Sequence, residues 1–369
     1  MNDSGGLGAT LPLATNHSNQ TSCPDINTSV SYVFMVVYSL LFLVGLLLNG
    51  FTLKVYFCRS QLTPQTSSSV TIYLKNLAAA DFLISLCLPV RILNYGSSSV
   101  PVRLVYCNFG ASVFYLNMYA SILFMGYIAA NRYLKIVHPL GTHVLQKVRT
   151  AYIVSIVTWA FLLAMMCTYV LVSLLTQERR DSIPAQKGCD ALHSQQLSVL
   201  YKVIHTCSAA IFLLVLVSLV VFYHGTSRRL SQAQQRQPAS SGSKKLEKSR
   251  RNMLVLVSVF CICFVPYHLV RIPYAFRKEW ECSWTRVFFY LKELTVLLSV
   301  LNVCLDPLIY FIFCKAFRSQ LSLRRAASTT HLPTGAVSVD RRNSERRLSS
   351  VKLNRKLSLS SATKPTNIL

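Results

Sequence analysis

The sequence predicts an all-α membrane protein: a bundle of seven transmembrane helices followed by a short amphipathic eighth. Three observations carry that expectation. The 369-residue chain is 52% hydrophobic and only 14% charged, more apolar and less charged than soluble globular domains. The apolar excess is gathered in seven runs, roughly 31–57, 69–95, 105–136, 150–175, 197–224, 252–276 and 286–312. Each is long enough to cross a bilayer, which takes about 20 apolar residues. The loops between them are short, as antiparallel helix neighbours prefer. A soluble enzyme is excluded on these grounds. The formal net charge of +25 would suggest a nucleic-acid partner in a soluble chain. Here the basic residues cluster in loops and a tail beside the apolar spans, which is how cytoplasmic segments meet anionic membrane lipids. No nucleic-acid partner is expected.

Residues 1–30 form a polar leader with no charged n-region before an apolar h-region, so no cleaved signal peptide is expected. It carries Asn-x-Ser/Thr acceptors at Asn2, Asn16, Asn19 and Asn27, the mark of a glycosylated extracellular segment. The bundle occupies 31–313. With the N-terminus outside, the cytoplasmic loops hold Arg59, then His138, Lys147 and Arg149, then a 225–251 segment with Arg228, Arg229, Arg236, Lys244, Lys245, Lys248, Arg250 and Arg251. The outer loops mix signs, as in Glu178-Arg179-Arg180-Asp181. Sugar acceptors and positive-inside loops therefore give one orientation, for a multi-pass protein of the plasma membrane.

Beyond the last span, residues 314–325 read as an interfacial amphipathic helix, with Phe313, Phe317 and Leu321 at helical spacing between basic residues. Residues 326–369 are rich in Ser, Thr, Arg and Lys and read as a disordered cytoplasmic tail. A basic-x-Ser pattern recurs at Ser344, Ser349 and Ser358; phosphorylation there would replace local positive charge with negative. The plainer reading is a basic tail attracted to lipid.

Of twelve cysteines, most lie in apolar runs as small core residues, but Cys23, Cys107, Cys189 and Cys282 lie at ends or in loops. On one outer face they could form two disulfides. No metal-ligand spacing joins them.

Polar residues inside the spans are the informative ones. Asn49, Asp81, Asn117, Ser121, Asn302 and Asp306 all interrupt apolar runs. Intramembrane carboxylates are expensive and are functional candidates by default. If Asp81 and Asp306 are neighbours, they cannot both ionise cheaply; either one keeps a proton or a cation sits between them. The sixth span reads Phe260-Cys-Ile-Cys-Phe-Val-Pro266-Tyr-His268-Leu-Val-Arg271-Ile-Pro-Tyr274. Pro266 kinks a helix, and His268 and Arg271, three apart, share its face. Two readings stay open: an Arg snorkelling to the membrane edge, or an anion site at the mouth of the bundle. No nucleophile–base pair is visible, so no catalytic residue is assigned.

The seven spans, with Asn49, Asp81, Cys107, Asn131-Arg132-Tyr133, Trp159, Pro266 and Asp306-Pro307-x-x-Tyr310, resemble a rhodopsin-like (class A) G-protein-coupled receptor over roughly residues 31–321. The resemblance implies a Cys107–Cys189 disulfide. It also implies a central pocket of Asn49, Asp81, Asn117, Ser121 and Asp306 for an allosteric sodium ion, the one cofactor expected. Activation switches would be Arg132, Tyr223, Phe264, Pro266 and Tyr310, with Phe264 at the usual toggle tryptophan. Tyr73-Leu-Lys-Asn76, Phe114-Tyr-Leu-Asn-Met-Tyr119, Cys263 through Tyr274, and Lys292-Glu293 narrow the likeness to the purinergic nucleotide receptors. The inhibitory-G-protein-coupled branch with the platelet ADP and UDP-sugar receptors, and its orphan relatives, is the nearest in motif. That branch implies a second disulfide, Cys23–Cys282. It implies phosphate binding by His268, Arg271 and Lys292 with Arg91 as a further cation, base contacts from Tyr115 and Tyr274, and Tyr119 and His193 in the same ligand set. Partners implied are a heterotrimeric G protein, arrestin and receptor kinases acting on the tail.

Departures from the pattern carry expectations of their own. Asn131 replaces the usual Asp before the Arg, and Leu246 and Glu247 lie where an acidic partner often sits, so raised basal signalling is expected. His193, Tyr201 and His205 stand where the ADP receptor has Lys, His and Asn, which argues against ADP itself. The alternatives are a lysophospholipid or lipid-mediator receptor of the same fold, a constitutively active orphan and, remotely, an ion or proton transporter using Asp81 and Asp306. A transporter would show internal repeats and broken helices, and the sequence has neither.

Overall fold

The computed structural model describes residues 28–62, 68–97, 99–139, 143–176, 189, 194–236, 241–276 and 282–313. All regular structure among them is helical. Seven helices are long and apolar enough to cross a membrane. The first span is Thr28–Leu62. The second is Ser69–Gly96, opened by Ser68, whose Oγ accepts the Thr71 N–H. The third runs over Val100–Val137, with Pro101 in its first turn and one π turn at Tyr106–Gly110. The fourth is Val148–Thr176, the fifth Gln195–Arg236 and the sixth Ser241–Ala275. The seventh comes in two pieces, Cys282–Val300 and Asn302–Phe313, with a turn at Leu301 between them.

The fifth and sixth helices outrun their apolar stretches, so much of 225–251, expected as a loop, is helical. The residues there (Arg, Gln, Lys, Leu and Ala) are good helix formers, and a helix already nucleated in the bilayer extends cheaply.

The third span is the most deeply set: Met118, Ala120, Ile122, Phe124, Met125 and Ile128 are all buried. The outer faces of the first, fourth and fifth spans carry exposed Leu47, Ile156 and Leu214, as lipid-facing surfaces must. Side-chain amides and hydroxyls tie helices across the apolar interior. Trp159 Nε1 donates to Asn76 Oδ1 at 2.9 Å, and Asn76 Nδ2 reaches Ser155 Oγ at 3.2 Å, joining the second and fourth spans. Gly45 lets the first span press against the second and seventh; an added Cβ would lie 2.5 Å from Ser85 Oγ and 2.8 Å from Val303 Cγ2.

The Cys107–Cys189 disulfide forms, holding residue 189 against the head of the third span with Cα atoms 5.5 Å apart. The sugar acceptors, His193, the Cys23–Cys282 pairing, the 314–325 amphipathic helix and Ser344, Ser349 and Ser358 lie outside the described residues.

Candidate functional site

At the disulfide-bearing end of the bundle, three cations face inward. Arg271 is 8% exposed, which sets aside the snorkelling reading of the sixth span. The side chain does not snorkel outward; its guanidinium lies among the rings of Tyr115, Tyr201 and Tyr274, at 5.4, 5.3 and 5.5 Å. Its Nε donates to His205 Nε2 at 3.1 Å. His205 Nδ1 lies 2.9 Å from the Tyr201 carbonyl, so the proton sits on Nδ1 and leaves Nε2 to accept. His268, one turn earlier, is fixed the same way: Nδ1 donates to the Phe264 carbonyl at 2.7 Å and Nε2 accepts from Tyr119 at 3.0 Å. Phe212 stacks on its ring at 3.8 Å. His268 is thereby part of the wall that aims Tyr119, rather than a donor pointing into the site.

Lys292, on the seventh helix, lies 5.2 Å from the Tyr274 ring and 4.7 Å from that of Phe289. Its Nζ is 2.9 Å from Glu293 Oε1. The other oxygen of that carboxylate pairs with Arg91 of the second helix at 2.7 Å and accepts the Tyr95 hydroxyl. Arg91 also donates to Tyr106 at 2.8 Å and lies over the Tyr38 ring at 4.9 Å. Arg91, expected as a further cation for the ligand, is held by Glu293 in a buried pair. Glu293, quoted from the sequence only within the Lys292-Glu293 motif, had been given no role of its own. A signal existed: Asp81, Glu293 and Asp306 are the acidic residues of the seven apolar runs, and a buried Arg91 needs one of them. Three cations against one carboxylate leave the cluster formally positive.

Midway along the bundle, Asp81 gathers hydrogen bonds from the third and seventh helices. Asp81 accepts from Ser121 at 3.2 Å, Asn302 at 3.3 Å and Tyr310 at 2.6 Å. Asp306, like Asp81, is fully buried. Asn49 Nδ2 donates to the Val303 carbonyl at 2.8 Å, and Asn117 Nδ2 to the Val113 carbonyl at 2.9 Å. That leaves Asn49 Oδ1, Asn117 Oδ1 and both Asp306 oxygens buried with no hydrogen-bond donor among the described residues. Carboxylate and amide oxygens without donors are the ligand type that a hard cation takes.

At the opposite end, Arg132 donates to the Phe313 carbonyl at 3.2 Å, with its guanidinium 4.5 Å over the Phe313 ring. It ties the third span to the last turn of the seventh. Asn131 is buried and donates to Ser69 Oγ at 2.8 Å and the Leu145 carbonyl at 3.2 Å. Glu247 is solvent-exposed and Tyr223 half-buried. Phe264 is fully buried, edge-on to Phe260, two residues before Pro266 interrupts the hydrogen-bond ladder.

The family profile described as "7 transmembrane receptor (rhodopsin family)" matches residues 48–310. Purinoceptor 14 of Bos taurus is 36% identical over 304 residues, which cover 81% of this chain and 87% of that protein. Purinoceptor 13 of Homo sapiens is 32% identical over 330 residues, 88% of this chain and 89% of that one. G-protein coupled receptor 87 of Mus musculus is 32% identical over 293 residues, 78% and 79% of the two chains. These proteins are receptors rather than enzymes. The chain belongs to the rhodopsin family of seven-transmembrane receptors and to its purinoceptor group, and is therefore a multi-pass plasma-membrane receptor that couples a small-molecule ligand to a G protein.

Proposed function

We propose that this receptor, oriented with its N-terminus outside, answers to an extracellular phosphorylated anion, a nucleotide or nucleotide sugar, and signals through an inhibitory G protein. One observation carries the reading: Arg271 of the sixth helix and Lys292 of the seventh flank the same Tyr274 ring, at 5.5 and 5.2 Å. A planar fork and a point charge beside one aromatic ring suit a polyanionic head group, with Tyr115 and Tyr274 as base contacts. The names of the purinoceptor relatives support the same ligand class. Glu293 acts as an internal counter-ion, which an incoming anion competes with for Lys292.

The ligand biases the bundle only through contacts that differ between its two states. Bridging Arg271 to Lys292 draws the outer ends of the sixth and seventh helices together, and the bend at Pro266 converts that closure into movement of the inner end. Arg132 leaves Phe313 in the state that receives the G protein. Asp81 and Asp306, with Asn49, Asn117 and Ser121, would hold a sodium ion, whose positive charge would offset the two carboxylates. The basic tail, once phosphorylated, recruits arrestin.

The test is a panel of nucleotides, UDP-sugars, lysophospholipids and leukotrienes on cells expressing the receptor, read as inhibition of cyclic AMP. A response to a nucleotide or UDP-sugar that loses potency in Arg271→Ala is expected. A response restricted to lysophospholipids overturns the nucleotide reading.

A further inference from the structure

Glu293 shares its two oxygens among three donors. Oε1 faces Lys292 at 2.9 Å, while Oε2 takes Arg91 at 2.7 Å and also the Tyr95 hydroxyl. Arg91 and Lys292 are cations; Tyr95 is neutral and belongs to none of the contacts proposed for the ligand. Its hydroxyl also accepts from Arg91 Nη2 at 3.4 Å. Its ring packs nearly parallel to those of Phe34 and Tyr38 on the first helix, at 5.7 and 5.9 Å with interplanar angles of 18° and 17°. Two parallel neighbours hold the plane of the ring, and with it the direction of the hydroxyl.

We infer that Tyr95 is a positioning residue: by donating to Glu293 it loosens that carboxylate's hold on Lys292, and so sets how readily an incoming anion takes the lysine. The effect on the anion rests on Lys292 being its partner, as proposed above. Two physical points support the role. A carboxylate that accepts more hydrogen bonds is the weaker base, so Glu293 draws less strongly on Lys292 while Tyr95 donates to it. The hydroxyl also lowers the cost of the exchange. When a phosphate oxygen draws Lys292 away, Oε1 loses its donor but Oε2 keeps Tyr95 and Arg91, so the buried carboxylate is not stranded. In Tyr95→Phe only Arg91 would remain, and Glu293 would cling to Lys292. The first helix bears none of the proposed ligand contacts, yet through Phe34 and Tyr38 it reaches the anion site.

The experiment reads Lys292 itself. Full-length receptor in phosphatidylcholine nanodiscs is acetylated with an N-hydroxysuccinimide ester. Peptide mass spectrometry follows the rate at Lys292, whose side chain is 17% exposed, against that at the exposed Lys245. Tyr95→Phe keeps the ring stack and removes the hydroxyl. It should slow acetylation of Lys292 by roughly threefold or more, because a lysine held more firmly as its ammonium offers less free amine to the reagent. In a Glu293→Gln background, Tyr95→Phe should change nothing further, whereas a tyrosine that only packs would act alike in both backgrounds. If Glu293→Gln fails to fold, the Arg91→Gln/Glu293→Gln double variant serves as that background. Inorganic pyrophosphate is the anion probe. It should protect Lys292 in the wild type and need a roughly threefold higher concentration to do so in Tyr95→Phe. Unchanged or faster acetylation in Tyr95→Phe overturns the inference, as does equal slowing in both backgrounds or equal protection of both proteins. Pyrophosphate that protects neither protein, with the slowing by Tyr95→Phe intact, rejects Lys292 as an anion partner and supports the action of Tyr95 on Glu293.

Discussion

Arg271 and Lys292 are the residues on which ligand recognition turns. Removing either leaves negative charge on a bound phosphate without its partner. Charge-assisted hydrogen bonds of this kind are worth about 1.5–3 kcal/mol, or roughly ten- to hundredfold in affinity. Arg271→Ala and Lys292→Ala should each shift the concentration–response curve of an anionic agonist by that factor in a cyclic AMP assay. Wild-type potency in either would reject the phosphate assignment. Arg271→Lys should also lose potency, because a lysine cannot keep the fork contact to His205 and the three tyrosine rings together. Glu293 makes a different prediction. Its neutralisation strands Arg91, which is 7% exposed, without a counter-charge. Breaking a buried ion pair from one side costs about 3–5 kcal/mol. Glu293→Gln should therefore lower the thermal unfolding midpoint in detergent, and adding Arg91→Gln should recover part of the loss. Additive losses would mean that the pair does not couple the second and seventh helices.

Among the elements, the third and seventh helices do the most. In the middle they meet through Asp81 of the second helix, which accepts from Ser121 of the third and from Asn302 and Tyr310 of the seventh, and at the inner end they meet directly at Arg132 with Phe313. Asn131 gives that inner contact its character. As an amide it donates to Ser69 and Leu145 and leaves the neighbouring Arg132 for the seventh helix. An aspartate could not donate, and would instead attract Arg132. Asn131→Asp is expected to reduce unliganded G-protein activation; activity equal to the unmutated receptor would reject the idea of a weakened latch. The first helix is held by a steric fit rather than by charge. Gly45→Ala places a methyl inside contact distance of Ser85 and Val303, and overpacking of this kind costs about 1–3 kcal/mol. A reduced unfolding midpoint is expected, and an unchanged one would mean that the first helix can shift outward freely.

At the scale of the whole molecule, the bundle is an apolar shell around two polar centres. One is the cationic cluster at the disulfide-bearing end, the other the carboxylate pair at mid-depth. Because both sit on the same helices, their occupancies should be linked. Sodium chloride, compared with an organic-cation chloride at equal ionic strength, is expected to weaken agonist binding to the wild type and to leave Asp81→Asn unaffected. Equal sensitivity in both proteins would rule out the mid-depth pocket as the place where sodium acts.

Much of this was legible in the chain before any fold was built. Seven apolar runs dictate seven helices, because a bilayer leaves backbone amides no other partners. The cost of burying charge in lipid singled out Asp81, Asp306 and Arg271 without reference to geometry. What the one-dimensional string could not supply is which groups face one another. Arg91 reads as a spare cation until the second and seventh helices bring Glu293 to it, and His268 reads as a phosphate donor until its two ring nitrogens are found engaged. Composition fixes what the membrane accepts, one residue at a time; pairing and empty space are properties of several helices at once, and only their packing decides them.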